Sequence, residues 1–162
     1  KENDYDFKIL KSVTKVNNDQ KIYLISKIRA FFNNNLRNKE IAVWGLSFKP
    51  NTDDIREAPA LKIIDSLLNL GVKISVYDPE AIMNTKKIYG NRISYGKNQY
   101  DILKNVNALI IATEWNEFKS PDFVRISKLM SEKVIFDGRN LFKPQFMKNM
   151  NFNYISIGRK KV

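Results

Sequence analysis

Apolar runs without charged residues are the sequence feature that most constrains the fold of this chain. Residues 41–46 and 108–112 contain no charged side chain. Strands of this kind are covered on both faces, which is the usual state of strands in a parallel sheet. Segments with helical spacing separate the runs, so the sequence predicts an α/β fold. We expect a doubly wound, mostly parallel sheet with helices on both faces, preceded by an N-terminal helix.

The predicted elements alternate along the chain. Strands are expected at residues 41–46, 73–77, 92–95, 108–112, 133–136 and 153–157. Helices or helical turns are expected at residues 59–70, 80–88, 100–105, 122–130 and 144–150. Pro59 suits the first turn of a helix, and Gly71 suits the position just after its C-terminal end.

An amphipathic helix is predicted before the first strand, over residues 1 to about 36. Apolar residues recur there at spacings of three and four, with a polar interruption at residues 17–20 and neither Pro nor Gly. Two interpretations stay open. The helix either packs on the following domain, or is the end of a larger helical region whose apolar surface meets a partner subunit.

Amino-acid composition limits the catalytic groups, metal ligands and partners that this chain can have. The chain of 162 residues has no cysteine and no histidine, which excludes thiolate nucleophiles, disulfides and the usual zinc ligands. The formal charge of +11 fits a nucleic-acid partner, a phosphorylated small molecule, or simply a lysine-rich surface.

Three polar clusters follow predicted strands, at residues 47–57, 113–116 and 137–140. Because ligands of open parallel sheets bind at the carboxyl ends of the strands, the clusters predict one crevice. Only Gly45 follows the first strand, so the glycine-rich cradle of a dinucleotide site is absent there. Lys49 and Arg56 offer cations for phosphates or carboxylates instead. Alternatively, they pair with Asp53, Asp54 and Glu57 and only stabilise the loop.

Other residues of these clusters also allow two interpretations. Arg139 either projects over the sheet edge or lies solvated in a turn. Trp115 either lines a pocket or packs in the core, and Asp78 either contacts a ribose or starts the turn before a helix. Asp53 and Asp54 resemble a metal pair, but no third ligand is evident, so no metal site is expected.

The segment at residues 43–59, read as VWGLSFKPNTDDIREAP, closely resembles the C-terminal domain signature of the UDP-glucose/GDP-mannose dehydrogenase family. The resemblance continues at residues 76–79, 112–115, 136–140 and 157–158. It implies that residues 1–38 end the family's central dimerisation region and that residues 39–162 form a Rossmann-like UDP-sugar-binding domain. The motifs look most like those of bacterial UDP-glucose 6-dehydrogenases.

The resemblance implies a parent enzyme that oxidises UDP-glucose to UDP-glucuronate with two NAD⁺. In that family a cysteine forms the covalent intermediates and an N-terminal domain holds the NAD. This chain contains neither, so it is expected to have no catalytic residue and to be inactive alone. The expected partners are UDP-glucose or a related UDP-sugar, NAD and a second copy, in the cytoplasm, without nucleic acid or membrane.

Residue by residue, the resemblance assigns Phe48 and Lys49 to the substrate and Arg56 to the NAD across the domain cleft. Arg139 matches an arginine that contacts substrate, in its own or a neighbouring subunit's site. Two rival functions remain. One is a basic nucleic-acid-binding module, which rests on net charge, and the other is an oligomerisation unit built on the N-terminal helix.

Overall fold

The computed structural model describes residues 7–162, which form a sheet of six parallel strands in the order β3-β2-β1-β4-β5-β6. This is the order of a doubly wound dinucleotide-binding sheet. The predicted fold class is therefore confirmed, and every predicted strand is present. The strands are β1 Glu40–Trp44, β2 Lys73–Tyr77, β3 Ser94–Tyr95, β4 Ala108–Ile111, β5 Val134–Asp137 and β6 Asn153–Ser156.

Within residues 7–162, five α-helices accompany the sheet, and each predicted helix is present. They are α1 Lys8–Phe31, α2 Pro59–Asn69, α3 Ile82–Tyr89, α4 Phe123–Leu129 and α5 Pro144–Asn149. Short 3₁₀ turns lie at Gly90–Arg92, Asp101–Leu103 and Asn116–Phe118. The first and last of these were not predicted, because three residues are too few to show a helical period.

Alternate residues of each strand face two separate cores. On one face, Ile41 and Val43 pack with α1, α2 and α3. On the other, Ala42 and Trp44 pack with α4, α5 and the 3₁₀ turns at Asp101–Leu103 and Asn116–Phe118. The Trp44 ring stacks on Phe118 with 5.0 Å between ring centroids. The central strands are thus covered on both faces, as their uninterrupted apolar sequences predict.

Helix α1 is one continuous helix, and the polar residues 17–20 do not break it. It ends earlier than predicted because Asn33 and Asn34 adopt left-handed backbone conformations, with φ of 50° and 60°. Part of the predicted helix, residues 1–6, lies outside the described residues. None of the helices in residues 7–162 is long and apolar enough to cross a membrane.

The two halves of α1 have different surroundings. In the C-terminal half, Leu24 and Ile28 are buried in the core that β1 shares, so this half packs on the domain as the first interpretation holds. In the N-terminal half, the apolar side chains are exposed. These are Ile9, Leu10, Val13 and Val16.

Candidate functional site

The polar clusters meet at the carboxyl edge of the sheet. The chain runs outward from β1 to β2 and β3, then returns to β4 on the other side of β1. A topology of this kind leaves a crevice outside the carboxyl ends of the two strands at which the order reverses. Here those strands are β1 and β4, and they are followed by the polar segments that begin at Gly45 and Ala112.

Asp78 joins the segments that follow β1, β2 and β4. Its Oδ2 accepts hydrogen bonds from the backbone N–H groups of Leu46 at 2.7 Å and Ser47 at 3.1 Å. The Ser47 hydroxyl at 3.2 Å and the Trp115 indole N–H at 3.0 Å donate to the same oxygen. Asp78 Oδ1 accepts from the N–H groups of Glu80 and Ala81, which confirms the turn interpretation of this residue.

Trp115 is buried, and its indole N–H points at Asp78 and Ser47, which confirms its core interpretation. Its neighbour Thr113 donates its hydroxyl to the Ser47 carbonyl at 2.7 Å. Gly45 allows this close approach, because a Cβ at that position would lie 2.5 Å from the Thr113 Cβ. Gly45 also has a φ of +87°, which side chains rarely adopt.

The loop after β1 presents Phe48 and Lys49 at its start. The Phe48 N–H donates to the Asp54 carbonyl at 2.8 Å, which closes the loop. The Phe48 side chain is nevertheless 52% exposed. Within residues 7–162, the Lys49 ammonium has no hydrogen bond and no ion pair, and its charge is the smallest of the causes that lower the pKa of Asp54.

Arg56, by contrast, does pair within the loop. Its guanidinium binds the Asp54 carboxylate through two atoms, Nε to Oδ1 at 2.9 Å and Nη2 to Oδ2 at 2.7 Å. These hydrogen bonds lower the pKa of Asp54 to about 2. Asp53 instead accepts from the Asn84 amide at 3.0 Å, so the two neighbouring carboxylates bind different partners. Arg56 is 87% exposed.

Arg139 lies in the turn after β5, and Asp137, the last residue of that strand, fixes the turn. The Arg139 N–H donates to Asp137 Oδ1 at 2.8 Å, and the buried Asp137 also accepts from the Tyr154 hydroxyl at 2.7 Å. The Asn140 side chain exchanges two hydrogen bonds with the Ile157 backbone. Asp137 and Asn140 thus have structural partners, and the guanidinium of Arg139 is the cation that the turn presents at the strand end.

The Arg139 guanidinium is not simply solvated. It binds Glu114, with Nη2 to Oε1 at 2.7 Å and Nε to Oε2 at 2.5 Å. Burial by itself would raise the pKa of Glu114, but the Arg139 hydrogen bond and the charges of Arg139 and Lys119 lower it. The pair leaves Arg139 36% exposed and links the segments after β4 and β5.

Tyr77, at the end of β2, completes this edge. Burial raises the pKa of Tyr77 to about 12, and the nearby Glu117 carboxylate adds to the rise. Tyr77 therefore keeps its proton at neutral pH and serves as a hydrogen-bonding group rather than a base.

The structure joins the three predicted clusters into one edge. Phe48, Lys49 and Arg56 lie on the loop after β1, and Arg139 reaches that edge through Glu114. Sequence reasoning missed Asp78 as the residue that holds the loop. Its partners Leu46, Ser47 and Trp115 are 31 to 37 positions away along the chain, so no local spacing indicates them.

Comparison with protein families identifies the family of this chain. The family model described as "UDP-glucose/GDP-mannose dehydrogenase family, UDP binding domain" matches residues 42–144, more than half of the chain. The chain belongs to this dehydrogenase family. The matched residues include Phe48, Lys49, Arg56, Asp78 and Arg139. The family resemblance of the sequence motifs is thereby confirmed.

Similar sequences include bacterial UDP-glucose 6-dehydrogenases. The chain is 37% identical over 158 residues to UDP-glucose 6-dehydrogenase TuaD of Bacillus subtilis, with 98% of this chain and 34% of the relative covered. It is 36% identical over 162 residues to the UDP-glucose 6-dehydrogenase of Pseudomonas aeruginosa, with 97% and 36% covered. The chain spans about a third of the length of these relatives.

Solved structures agree with the family assignment. A UDP-glucose dehydrogenase from Pyrobaculum islandicum is similar with a TM-score of 0.74 and 30% identity, over 91% of this chain and 31% of that chain. An NDP-N-acetyl-D-galactosaminuronic acid dehydrogenase from Methanosarcina mazei has a TM-score of 0.83 over 98% and 34% of the two chains. At 22% identity, that second likeness shows the fold alone. The comparisons support neither the nucleic-acid module nor an oligomerisation unit.

Proposed function

We propose that this UDP binding domain forms the nucleotide-sugar side of the active-site cleft in an NAD-dependent UDP-glucose 6-dehydrogenase. The whole enzyme would oxidise UDP-glucose to UDP-glucuronate. Residues 39–162 would be the domain that binds the sugar nucleotide, and residues 1–38 would belong to the helical region before it. The chain has no cysteine, so the covalent chemistry of the enzyme would lie outside it.

One observation supports this proposal: an exposed aromatic ring lies next to an ammonium that, within residues 7–162, makes no hydrogen bond or ion pair, at the point where the strand order of the sheet reverses. In residues 7–162, neither a hydrogen bond nor an ion pair engages Lys49, and the ring of Phe48 is open to solvent. A lysine binds phosphate as a point charge, and an exposed ring supplies an apolar face for a nucleoside or sugar. Phe48 and Lys49 therefore suit a UDP-sugar.

Arg139 is the third proposed substrate residue. Glu114 holds its guanidinium through one hydrogen bond and one ion-pair contact, so its orientation is set before any ligand binds. A hydroxyl or phosphate oxygen of the ligand would use the remaining N–H groups of this planar donor. Arg139 would serve either this site or the site of a neighbouring subunit.

NAD does not fit the turn after β1. In a dinucleotide-binding protein, the backbone N–H groups at this turn bind the pyrophosphate. Here the N–H groups of Leu46 and Ser47 donate to Asp78, and a pyrophosphate would have to displace that buried carboxylate. We therefore propose that a domain outside this chain holds most of the NAD. Arg56, whose guanidinium is largely exposed beside Asp54, would approach it across the cleft.

The exposed apolar residues in the N-terminal half of α1 favour a homodimer of the parent enzyme. A contact between two such faces would cover side chains that the described part of this chain leaves open. Ile9 and Leu10 are among the most exposed of them. A cytoplasmic location stays a prediction.

Titration of the chain with UDP-glucose, followed by calorimetry or by NMR, tests the substrate site. Lys49→Ala and Phe48→Ala should each weaken the affinity about tenfold, the effect of losing one good contact. Lys128→Ala is the matched control, because Lys128 is an exposed lysine on α4, on another part of the surface. Equal affinities for Lys49→Ala and Lys128→Ala would refute the assignment of Lys49.

An NADH-formation assay tests whether catalysis requires residues outside this chain. With UDP-glucose and NAD⁺, the 162-residue chain alone should give no turnover above background, because it lacks a cysteine nucleophile. The same assay on a parent enzyme that contains this segment should give turnover. Clear NADH production by the chain alone would overturn the proposal that catalysis lies outside it.

A further inference from the structure

A buried carboxylate, that of Asp78, lies at this edge of the sheet, and the proposed substrate site assigns it no contact with the ligand. Asp78 is 1% exposed, and within residues 7–162 it has no ion-pair partner. Its charge is stabilised by N–H and O–H donors alone. Six donor groups surround its two oxygens, namely those of Leu46, Ser47 (backbone and hydroxyl), Glu80, Ala81 and Trp115. A carboxylate so fully bonded is held in one orientation.

We propose that Asp78 is a positioning residue that sets the backbone from which Phe48 and Lys49 project. The proposal rests on the proposed function of those two residues. Leu46 and Ser47 directly precede Phe48, and both of their N–H groups converge on one oxygen of Asp78. Since Asp78 directly follows β2, the segment after the neighbouring strand fixes the direction of the loop after β1.

Further hydrogen bonds fix the backbone of the next residues in the loop. The Ser47 carbonyl accepts from Thr113, and the Phe48 N–H donates to Asp54. Asp78 therefore supplies the first two of the bonds that fix residues 46–48. Loss of these bonds would release the loop at its base, where a small rotation moves Phe48 and Lys49 by a larger distance. Misplacement of about 1 Å is enough to impair a site of this kind.

The site requires two oxygens that only accept. Five of the six groups that contact the carboxylate are N–H groups, which cannot accept, so an asparagine at position 78 would direct its NH₂ group at other N–H donors. Asp78→Asn, which keeps the volume, should therefore release the loop almost as strongly as Asp78→Ala. A residue that only filled space would tolerate the asparagine. The comparison of these two variants separates positioning from packing.

Amide hydrogen exchange on the 162-residue chain tests the proposal without any ligand. In Asp78→Asn, exchange at residues 46–48 should accelerate at least about tenfold beyond the change in global stability. The matched control is Asn107→Ala. Asn107 also bonds β1, through the Glu40 N–H at 2.9 Å, but at the opposite edge of the sheet. That control should leave residues 46–48 unchanged once global stability is subtracted.

If Asp78 variants do not fold, a substitution of one hydrogen-bond donor to Asp78 tests the same proposal. Trp115→Phe keeps an aromatic side chain, although a smaller one, and removes the indole N–H that donates to Asp78 and Ser47. It should accelerate exchange at residues 46–48 in the same direction, by a smaller factor. Unchanged exchange there in Trp115→Phe and in any folded Asp78 variant would overturn the proposal.

Titration with UDP-glucose tests whether Asp78 also affects ligand affinity. If wild type binds UDP-glucose, Asp78→Asn should weaken that affinity about tenfold, and Asn107→Ala should not. Equal affinities of wild type and Asp78→Asn would overturn the positioning role. If wild type does not bind UDP-glucose, the proposed function of the isolated chain fails, while the exchange data still decide whether Asp78 holds the loop.

Discussion

The loop after β1 and the turn after β5 both present an arginine at the carboxyl edge of the sheet. The aspartate that holds the loop is distant along the chain, whereas the aspartate that holds the turn directly precedes it. Asp78, which directly follows β2, holds the base of the first loop. Asp137, the last residue of β5 itself, holds the second turn through the N–H groups of Arg139 and Leu141. The first loop thus depends on the pairing of two strands, and the second largely on its own sequence.

This difference also affects how the two arginines are held. Arg56 pairs with Asp54, two residues away on the same exposed loop. Arg139 pairs with Glu114, which lies 25 residues away on the segment after β4. A local surface pair contributes little to stability, whereas a partly buried pair between two segments restricts both of them. Arg139 is therefore the better ordered of the two cations.

The largest expected effect comes from removing the carboxylate of the second turn. Asp137→Ala would remove the acceptor of three backbone N–H groups and leave the buried Tyr154 hydroxyl with only its contact to the Phe142 carbonyl. Because each buried unsatisfied group costs about 1–3 kcal/mol, the free energy of unfolding should fall by about 4 kcal/mol. Urea denaturation measures this. Asp122→Ala is the control, since that exposed aspartate caps α4 through one N–H and should cost about 1 kcal/mol.

The next effect tests the close approach at the base of the first loop. Gly45→Ala should lower the free energy of unfolding by about 3 kcal/mol, because the new Cβ would lie 2.5 Å from Thr113 Cβ. Gly90→Ala is a matched control. Gly90 also has a positive φ, of +53°, but nothing lies within 4 Å of its Cβ position. Equal losses in thermal or urea denaturation would mean that the contact with Thr113 does not restrict the loop.

A smaller effect is expected from the pair that links β4 and β5. A double-mutant cycle of Glu114→Gln and Arg139→Gln should give a coupling energy of about 0.5–1 kcal/mol, since both side chains are about a third exposed. The same cycle on Asp54 and Arg56 should give less. If the Asp54–Arg56 coupling were the larger of the two, the ranking of the two cations would be reversed.

The smallest effect concerns pH. The pKa of Asp54 is about 2 in the folded chain, below its ordinary value of 3.8, chiefly because of the Arg56 hydrogen bond. Since the folded pKa is the lower one, the contribution to stability is present above about pH 4 and is lost as the pH falls toward 2. In Arg56→Gln, NMR titration of the Asp54 carboxyl should show a pKa closer to 3.8. An unchanged pKa would show that Arg56 does not hold Asp54.

Local chemistry made many of these features predictable. Pro59 at the start of α2, the uninterrupted apolar residues of β4 and the polar segments after the strands all act over a few neighbouring positions. The pairing of Arg56 with Asp54 was one of two open interpretations for the same reason. By contrast, the pairing of Arg139 with Glu114 was not anticipated, because an arginine in a turn gives no sign of its distant partner.

The sequence by itself determined the kind and order of the elements, the polar strand ends and the family, because apolar period, turn residues and motifs are local properties. The tertiary structure decided which strands lie side by side and therefore which segments meet. Only the placement of β1 between β2 and β4 brings Asp78 to Ser47 and Trp115. It also decided that Leu24 and Ile28 of α1 are buried while Ile9 is exposed, although all three continue one helical pattern.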